Sequence, residues 1–243
     1  MLKDNFSKQA DLYAKYRPTY PKDLYDFLYA HTSKFEAAWD CATGNGQVAS
    51  VLSEKFETVY ATDISENQLN SAVKKSNILY SMGSAENSGL EKPVDLITVA
   101  QAIHWFNVDK FYLEAQRLAK PGATLAYWGY GLIRINKEAD NIIKHFYEDV
   151  VGPFWDPERA LIENSYEDIH LPLVHTKIVR FQYQAEWTLE HLLGYLSSWS
   201  AVQKYIDAKG HNPADHLRGR LEEIFKGFQR VTFPIFLTLG HIK

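Results

Sequence analysis

The sequence has one cysteine, Cys41, among its 243 residues. A single thiol cannot form an intramolecular disulfide, and it leaves no cysteine cluster for zinc or an iron–sulfur centre. Histidine does not supply a metal site in place of cysteine, because the pairs His170/His175 and His211/His216 lack a metal-site spacing with supporting carboxylates. We therefore expect no bound metal and a protein of a reducing compartment, which we take to be the cytoplasm.

Long apolar runs and excess positive charge are missing as well. No apolar stretch approaches the roughly 18 residues that span a bilayer. The N-terminal segment MLKDNFSKQADLYAKYR is charged throughout and lacks the apolar centre of a signal peptide. The formal net charge of −4 provides no overall positive field for nucleic acid or anionic lipid. We expect a small-molecule partner, no nucleic acid and no membrane, and a monomer or homodimer.

Apolar side chains are abundant, at 46% of the residues, and 14% are aromatic. A chain of this length and composition can bury a large core, which predicts one domain. We divide it into a helical cover over 1–33, a core over 34–130 and a substrate-side region over 131–243, which holds a lid, helices and the last two strands.

Apolar runs alternate with helical patterns from residue 37 onward, which predicts an α/β protein with a mostly parallel sheet and helices on both faces. The predicted strands are Ala37–Ala42, Thr58–Thr62, Asn77–Tyr80, Val94–Ala100, Thr124–Tyr130, Lys177–Gln184 and Val231–His241. The predicted helices are 5–16, 21–33, 46–54, 66–74, 108–119 and 136–149, with a further helical stretch over 188–227.

A glycine-rich turn follows the first predicted strand in the stretch DCATGNGQVA. Gly44, Gly46 and Ala49 fit the G-x-G-x-x-A pattern, in which glycine lets backbone N–H groups approach a ligand. Asp63 follows at the interval where a carboxylate ending the second strand meets ribose hydroxyls. An ordinary tight turn would also explain the glycines, and a helix cap would explain Asp63. The pattern leaves open a nicotinamide or flavin dinucleotide and a different cofactor.

Features outside the turn favour a cofactor without a pyrophosphate. Asp40 lies four residues before Gly44, where it could face a cation or order the loop through backbone N–H groups. The segment GSAE places Ala85 and Glu86 after the third strand, and QAIHWF begins at Gln101 after the fourth.

The segments DCATGNG, ATDIS, GSAE, VDLITVAQAIHWF and LAKPGATLAYW, in this order, resemble the class I S-adenosylmethionine-dependent methyltransferases, particularly the branch around the trans-aconitate methyltransferases. The segments YAKYRPTYP and LLGYLSSWSAVQKY extend the resemblance over nearly the whole chain. The chain departs from the family at Ala42, where glycine is common, and at Thr43-Gly44, where Cys-Gly or Ser-Gly is frequent. Ala42 costs little if its backbone is in the β region, so we do not count it against cofactor binding.

The resemblance implies a Rossmann-like seven-stranded, mostly parallel sheet with an N-terminal helical cover and a helical insertion before the last strand. It also implies that 34–130 binds S-adenosylmethionine and that Tyr13, Tyr16 and Arg17 belong to the cover. His104 and Trp105 would face the methyl-transfer space as catalytic residues. The residues expected at the cofactor are Tyr16, Arg17, Asp40, Ala42, Gly44, Gly46, Asp63, Ile64, Ala85, Glu86 and Gln101.

Methyl transfer from a sulfonium is an in-line displacement that depends on alignment and exclusion of water. A carboxylate acceptor is ionised at neutral pH and needs no base, whereas an amine or hydroxyl needs one, for which His104 is the candidate. We favour a carboxylate, because the resemblance to the trans-aconitate methyltransferase branch implies one and because Arg17 could bind a carboxylate bidentately. The further candidates for an anionic acceptor are Arg134, Arg159 and Arg180, and the aromatic stretch 154–166 is a candidate lid.

Three other functions stay open. The glycine pattern with Asp63 would suit an NAD(P)-dependent oxidoreductase. A catalytically silent member of the fold would bind the cofactor or a partner without turnover. A nucleic-acid methyltransferase is disfavoured by the negative net charge.

Overall fold

The computed structural model describes residues 16–243, so the predicted helix over 5–16, apart from Tyr16, and the position of Tyr13 lie outside the described residues. The seven strands are β1 (Ala37–Cys41), β2 (Thr58–Asp63), β3 (Ile78–Met82), β4 (Val94–Ala100), β5 (Ala119–Tyr130), β6 (Val174–Trp187) and β7 (Gln229–His241). The α-helices are α1 (Lys22–Ala30), α2 (Gln47–Leu52), α3 (Glu66–Asn70), α4 (Val108–Leu118), α5 (Lys137–His145), α6 (Arg159–Glu163), α7 (Leu189–Ser197), α8 (Ser200–Lys209) and α9 (Arg218–Glu222).

The strands form one sheet in the order β3-β2-β1-β4-β5-β7-β6. Strands β1 to β5 are parallel, and β7 runs antiparallel between β5 and β6. This confirms the predicted seven-stranded, mostly parallel sheet, with helices α7 to α9 inserted before the last strand. The chain runs outward from β1 to β3 and then returns to β4 on the other side of β1. A crevice at the carboxyl ends of β1 and β4 follows from this reversal, and ligands bind there in open α/β sheets.

Apolar side chains pack on both faces of the sheet, as predicted. All five residues of β1 are buried, and successive side chains point to opposite faces. Ala38 joins a cluster with Leu24 and Leu28 of α1, whereas Trp39 joins another with Phe111 of α4. The central strands are therefore buried on both sides and hold the crevice rigidly.

Several elements differ in length from their predictions. The helical stretch predicted over 188–227 is broken at Trp199, which has an extended ψ of 138°, and at Gly210, which has a φ of 79°. Helix α3 ends at Asn70, earlier than predicted, and β6 extends to 14 residues because it pairs with β7 over most of that length. Local periodicity carries no information on such long-range pairing.

Gly46, the residue before α2, requires glycine for two reasons. Its φ is +80°, in the left-handed region, and a Cβ added there would lie 2.1 Å from the Tyr80 hydroxyl. That hydroxyl donates a hydrogen bond to the Val73 carbonyl, 2.8 Å away, so moving the ring would cost this bond. The same turn carries the residues that line the crevice.

We predict that Gly46→Ala lowers the free energy of unfolding by about 2 to 3 kcal/mol, from backbone strain and the Tyr80 contact together. Gly210→Ala is the matched control, because its φ is +79° and no atom lies within 4 Å of the added Cβ. Gly210→Ala is expected to lower the free energy of unfolding by about 1 kcal/mol. In a Tyr80→Phe background, the loss caused by Gly46→Ala should come closer to that of the control. Equal losses in urea denaturation would contradict the Tyr80 contribution.

Candidate active site

A buried carboxylate, that of Asp40, joins the chain segments at the crevice. Its Oδ2 accepts hydrogen bonds from the Thr43 hydroxyl (2.5 Å) and the Ala49 backbone N–H (3.1 Å), and Oδ1 accepts one from the Thr98 hydroxyl (2.8 Å). Burial raises the pKa of Asp40 to about 6, although these hydrogen bonds oppose that shift. Of the two roles predicted for Asp40, ordering the loop is the one these contacts fulfil.

Backbone strain marks the carboxyl ends of both central strands. Ala42 follows β1 with a φ of 55°, and Gln101 follows β4 with a φ of 54°. Ala42 therefore does not meet the condition, a backbone in the β region, under which it would cost little. The left-handed region is uncommon for residues with a Cβ, and positions of this kind cluster at functional sites. The glycine common in the resembling family would adopt this conformation without steric cost.

A cavity, which we call the first cavity, lies at the carboxyl edge of the parallel strands. It is lined by Tyr20, Asp40, Gln68 and residues 42–45, 47–48, 63–65, 83–86, 100–102 and 105–106. Eight of the residues predicted at the cofactor line it, namely Asp40, Ala42, Gly44, Asp63, Ile64, Ala85, Glu86 and Gln101. These residues come from the ends of four different strands, which the sheet order brings together.

The lining of the first cavity suits an adenosine with a charged tail. Asp63 faces it while its carboxylate accepts hydrogen bonds from the backbone N–H groups of Gly44 (2.8 Å) and Ser65 (2.9 Å), which fix its position. Carboxylate oxygens have several lone-pair sites, so this arrangement is compatible with ribose hydroxyls as donors. A Cβ on Gly44 would meet only the Gln68 Oε1, at 3.8 Å, so the space above the turn is open.

The remaining wall of the first cavity combines apolar groups with one more carboxylate. Ile64, Ala85 and Phe106 supply an apolar surface of the kind that contacts a planar ring. Glu86 Oε1 accepts a hydrogen bond from the backbone N–H of Asn107 at 2.8 Å, which ties the wall to the start of α4. The residues present therefore fit S-adenosylmethionine, with its adenine, ribose and methionine parts.

A second cavity shares Gln101 and Trp105 with the first. Its other lining residues are Arg17, His104, Tyr130, Trp155, Asp156, Arg159, Ile162, Tyr195, Trp199 and Ser200. Gln101 lines both cavities, and its Oε1 accepts a hydrogen bond from the Tyr130 backbone N–H at 3.1 Å. Because the two spaces share a wall, a molecule in the second cavity lies next to one in the first.

Two guanidinium groups border the second cavity. Arg17 donates to the Tyr130 hydroxyl and to the Ser198 carbonyl, both at 2.8 Å. Arg159 donates through Nε to the Tyr147 hydroxyl at 2.7 Å and lies over the Trp155 ring, 4.8 Å from its centroid. These contacts hold both arginines in place, which reduces the entropy lost when they bind an anion.

His104 is buried in the wall of the second cavity, with 6% of its surface exposed. Its Nδ1 lies 2.8 Å from the Tyr166 hydroxyl. Burial, and after it the positive charge of Arg159, lowers the pKa of His104 to about 3. The imidazole is therefore neutral at physiological pH.

Three predicted cofactor residues do not line the first cavity. Arg17 lines the second cavity instead. Tyr16 packs edge-on against His191, with ring centroids 5.2 Å apart, and beside Gly194 of α7. Gly46 faces Tyr80 rather than either cavity. Arg134 and Arg180 line a surface groove that shares Arg159 and Ile162 with the second cavity, and neither lines the second cavity itself. Arg180 lies 3.6 Å from Glu167.

Sequence reasoning missed part of both linings. Tyr20, Asn45 and Phe106 line the first cavity and lie within YAKYRPTYP, DCATGNG and QAIHWF, whose resemblance to the family was the available signal. Gln68 also lines it and belongs to none of the resembling segments. Tyr195 and Trp199 belong to LLGYLSSWSAVQKY, whose resemblance to the family was the available signal, and Trp155 belongs to the predicted lid. Tyr130 had no local signal, because its role depends on the pairing of β5.

Within residues 16–243, no three His, Cys, Asp or Glu side chains are grouped in a way that could hold a metal ion. Among the same residues, no helix has the length and apolar character required to cross a bilayer. Cys41 is buried, and burial raises the pKa of its thiol.

Residues 39–127, which carry most of the first cavity, match a family model described as a methyltransferase domain. A Dictyostelium discoideum protein named as a methyltransferase is 33% identical over 248 residues, covering 98% of this chain and 94% of the relative. A Saccharomyces cerevisiae protein named as an S-adenosylmethionine-dependent methyltransferase is 22% identical and covers 87% of this chain and 86% of the relative.

A solved structure supports the same assignment. A type II methyltransferase from Anaeromyxobacter dehalogenans superposes with a TM-score of 0.84 at 33% sequence identity, covering 93% of this chain and 97% of that one. The identity of one third extends over almost the full length of both chains, as it does for the Dictyostelium relative. From the sheet order, the crevice at β1 and β4, and these matches, we conclude that the chain belongs to the class I S-adenosylmethionine-dependent methyltransferases.

Proposed function

We propose that this protein transfers a methyl group from S-adenosylmethionine to a carboxylate oxygen of a small polyanion, with trans-aconitate as the acceptor to assay first. The observation that supports the acceptor class is the pair Arg17 and Arg159 in a cavity that shares a wall with the first cavity. Guanidinium groups bind carboxylates with paired hydrogen bonds and a favourable charge interaction.

In this proposal the first cavity holds the cofactor. Asp63 accepts hydrogen bonds from the ribose, Ile64 and Ala85 contact the adenine, and Glu86 borders its edge. Gly44 leaves room for the methionine part above the turn. When bound, S-adenosylmethionine supplies an electrophilic methyl group on a positively charged sulfur.

The acceptor would lie in the second cavity with one carboxylate directed to the wall formed by Gln101 and Trp105. Its other carboxylates would pair with Arg17 and Arg159, which orients the reacting oxygen. The indole of Trp105 lines both spaces and would exclude water from the line of transfer. A carboxylate is already ionised, so the protein does not need to remove a proton from it.

An amine or hydroxyl acceptor is the alternative within the same family, with His104 as a general base. The pKa of about 3 argues against this, because an efficient base has a pKa near the working pH. The oxidoreductase considered from the glycine pattern lacks support among the relatives, which carry methyltransferase names. A catalytically silent family member would bind S-adenosylmethionine or a partner and would methylate no acceptor of any class.

The direct assay follows transfer of a labelled methyl group to trans-aconitate and to a panel of related polycarboxylates. We expect a methyl ester that is cleaved by mild alkali. Turnover only with amines or alcohols would overturn the carboxylate assignment. Absence of S-adenosylhomocysteine binding to folded protein would overturn the cofactor assignment.

We predict that Asp63→Asn weakens S-adenosylhomocysteine binding by about 10- to 100-fold, because hydrogen bonds to a charged group contribute about 1.5 to 3 kcal/mol. Isothermal titration calorimetry measures the affinity. Glu66→Gln is the matched control, since Glu66 is an exposed carboxylate three residues away and does not line the first cavity. Thermal unfolding without ligand checks that the turn is intact, and equal affinities for the parent and Asp63→Asn would remove Asp63 from the site.

We predict that Arg159→Gln raises the KM for trans-aconitate by about 10- to 100-fold while S-adenosylhomocysteine affinity changes less than about twofold. The reason is that Arg159 borders the second cavity and does not line the first. Arg134→Gln removes the same charge from an exposed position and should leave KM unchanged. If both variants raise KM equally, the effect is long-range electrostatics and the assignment of Arg159 fails.

A further inference from the structure

Tyr166 and His104 form a buried polar pair beside the second cavity. The Tyr166 hydroxyl and His104 Nδ1 are 2.8 Å apart, and the two rings are 3% and 6% exposed. The His104 side chain forms this hydrogen bond through Nδ1, and its Nε2 forms no hydrogen bond with residues 16–243. His104 also lines the second cavity, so Nε2 is the ring nitrogen left to form a hydrogen bond with a molecule bound there.

The backbone that presents Tyr166 is held in an uncommon conformation. Ser165 and Tyr166, just after α6, have φ values of 62° and 64°, although neither is glycine. The backbone N–H of Tyr166 donates to the Leu161 carbonyl at 2.8 Å, and the ring packs edge-on against Phe236, with centroids 5.1 Å apart. Two successive left-handed residues with side chains persist only where the surroundings fix them. The position of the Tyr166 hydroxyl is therefore closely specified.

The chemistry of the two groups indicates which one donates. A phenol hydroxyl is a better donor than a neutral imidazole N–H, and an imidazole nitrogen is a better acceptor than a phenol oxygen. The favourable arrangement is O–H of Tyr166 donating to Nδ1 of His104, which leaves the proton of the neutral ring on Nε2. Burial and Arg159, which lower the pKa of His104 to about 3, keep the ring neutral.

We propose that Tyr166 is a positioning residue that holds His104 as the neutral tautomer protonated on Nε2, so that His104 donates a hydrogen bond to the acceptor and does not remove a proton from it. The guanidinium groups of Arg17 and Arg159 line the same cavity, and a third donor among them suits an anion with several oxygens. The identity of the acceptor in this inference rests on the proposed function, whereas the tautomer does not.

The tautomer is tested by NMR of the full-length protein labelled with ¹³C and ¹⁵N in histidine, between about pH 5 and pH 8. The His104 signal is identified by its loss in His104→Gln. We expect protonated Nε2 and bare Nδ1. His31 is an internal reference for the opposite tautomer, because its Nδ1 lies 2.8 Å from the Phe27 carbonyl, which can only accept.

In Tyr166→Phe, the tautomer protonated on Nδ1 should become populated at His104, while His31 is unchanged. A parent spectrum with His104 protonated on Nδ1 would overturn the proposal. So would a His104 tautomer that is the same in the parent and in Tyr166→Phe. The tautomer of the parent protein can be measured if one variant folds, namely His104→Gln, which identifies the His104 signal.

Kinetics with trans-aconitate distinguishes a donor from a base. Tyr166→Phe should raise KM with little change in kcat, and His104→Leu should lower kcat/KM by about 10- to 100-fold. His104→Gln places an amide N–H near the position of Nε2 and should recover most of that loss. If His104 acted as a general base, His104→Gln and His104→Leu would lower kcat/KM equally, by about 10²- to 10⁴-fold. That result would overturn the proposal. If the parent does not methylate trans-aconitate, the proposed acceptor is wrong, and the NMR spectrum alone decides the tautomer.

Discussion

The carboxylate of Asp40 accepts hydrogen bonds from the turn after β1, from the first turn of α2 and from β4. These segments meet where the chain reverses its direction across the sheet. A buried carboxylate is costly unless its lone pairs are satisfied, so the three donors must be present together for the site to form. The turn carrying Gly44 takes its shape from this arrangement, and Gly44 in turn donates to Asp63. One buried anion thus orders the turn from which the first cavity extends.

Four of the five non-glycine residues with a left-handed backbone in residues 16–243 lie at or beside the two cavities, and the fifth, His175, is in β6. Ala42 and Gln101 are left-handed at the ends of the two central strands, and Ser165 and Tyr166 are left-handed beside His104. Each such residue is unfavourable by about 1 to 3 kcal/mol, and the packed surroundings compensate for it. Local preference is thus violated at the positions where a cofactor and an acceptor would meet, as expected of functional sites.

The charges near the second cavity differ from the charge of the whole chain. The net charge is −4, yet two guanidinium groups line this cavity. The cavity also contains one carboxylate, that of Asp156, which lies 2.6 Å from the Lys204 ammonium. The negative charge of Asp156 is therefore balanced by Lys204. The neutral imidazole of His104 adds no charge to the cavity. The cavity can therefore attract an anion that the rest of the surface would not, because charges in a partly closed space are screened less than exposed ones.

The sequence by itself determined the parts of the protein that depend on local pattern. Alternating strands and helices predict a parallel sheet, and the residues just after strands, such as Gly44, Asp63 and Ala85, must then share its carboxyl edge.

Tertiary structure decided which residues that are distant in the sequence come into contact. Arg17 contacts Tyr130 and Ser198, which are 113 and 181 residues away, and Tyr195 and Trp199 reach the second cavity from the C-terminal third. The left-handed backbone of Ala42 was equally beyond local reasoning, because alanine prefers other conformations and only its neighbours impose this one. Periodicity reports which face a residue buries, whereas the packing of distant segments fixes which groups meet there.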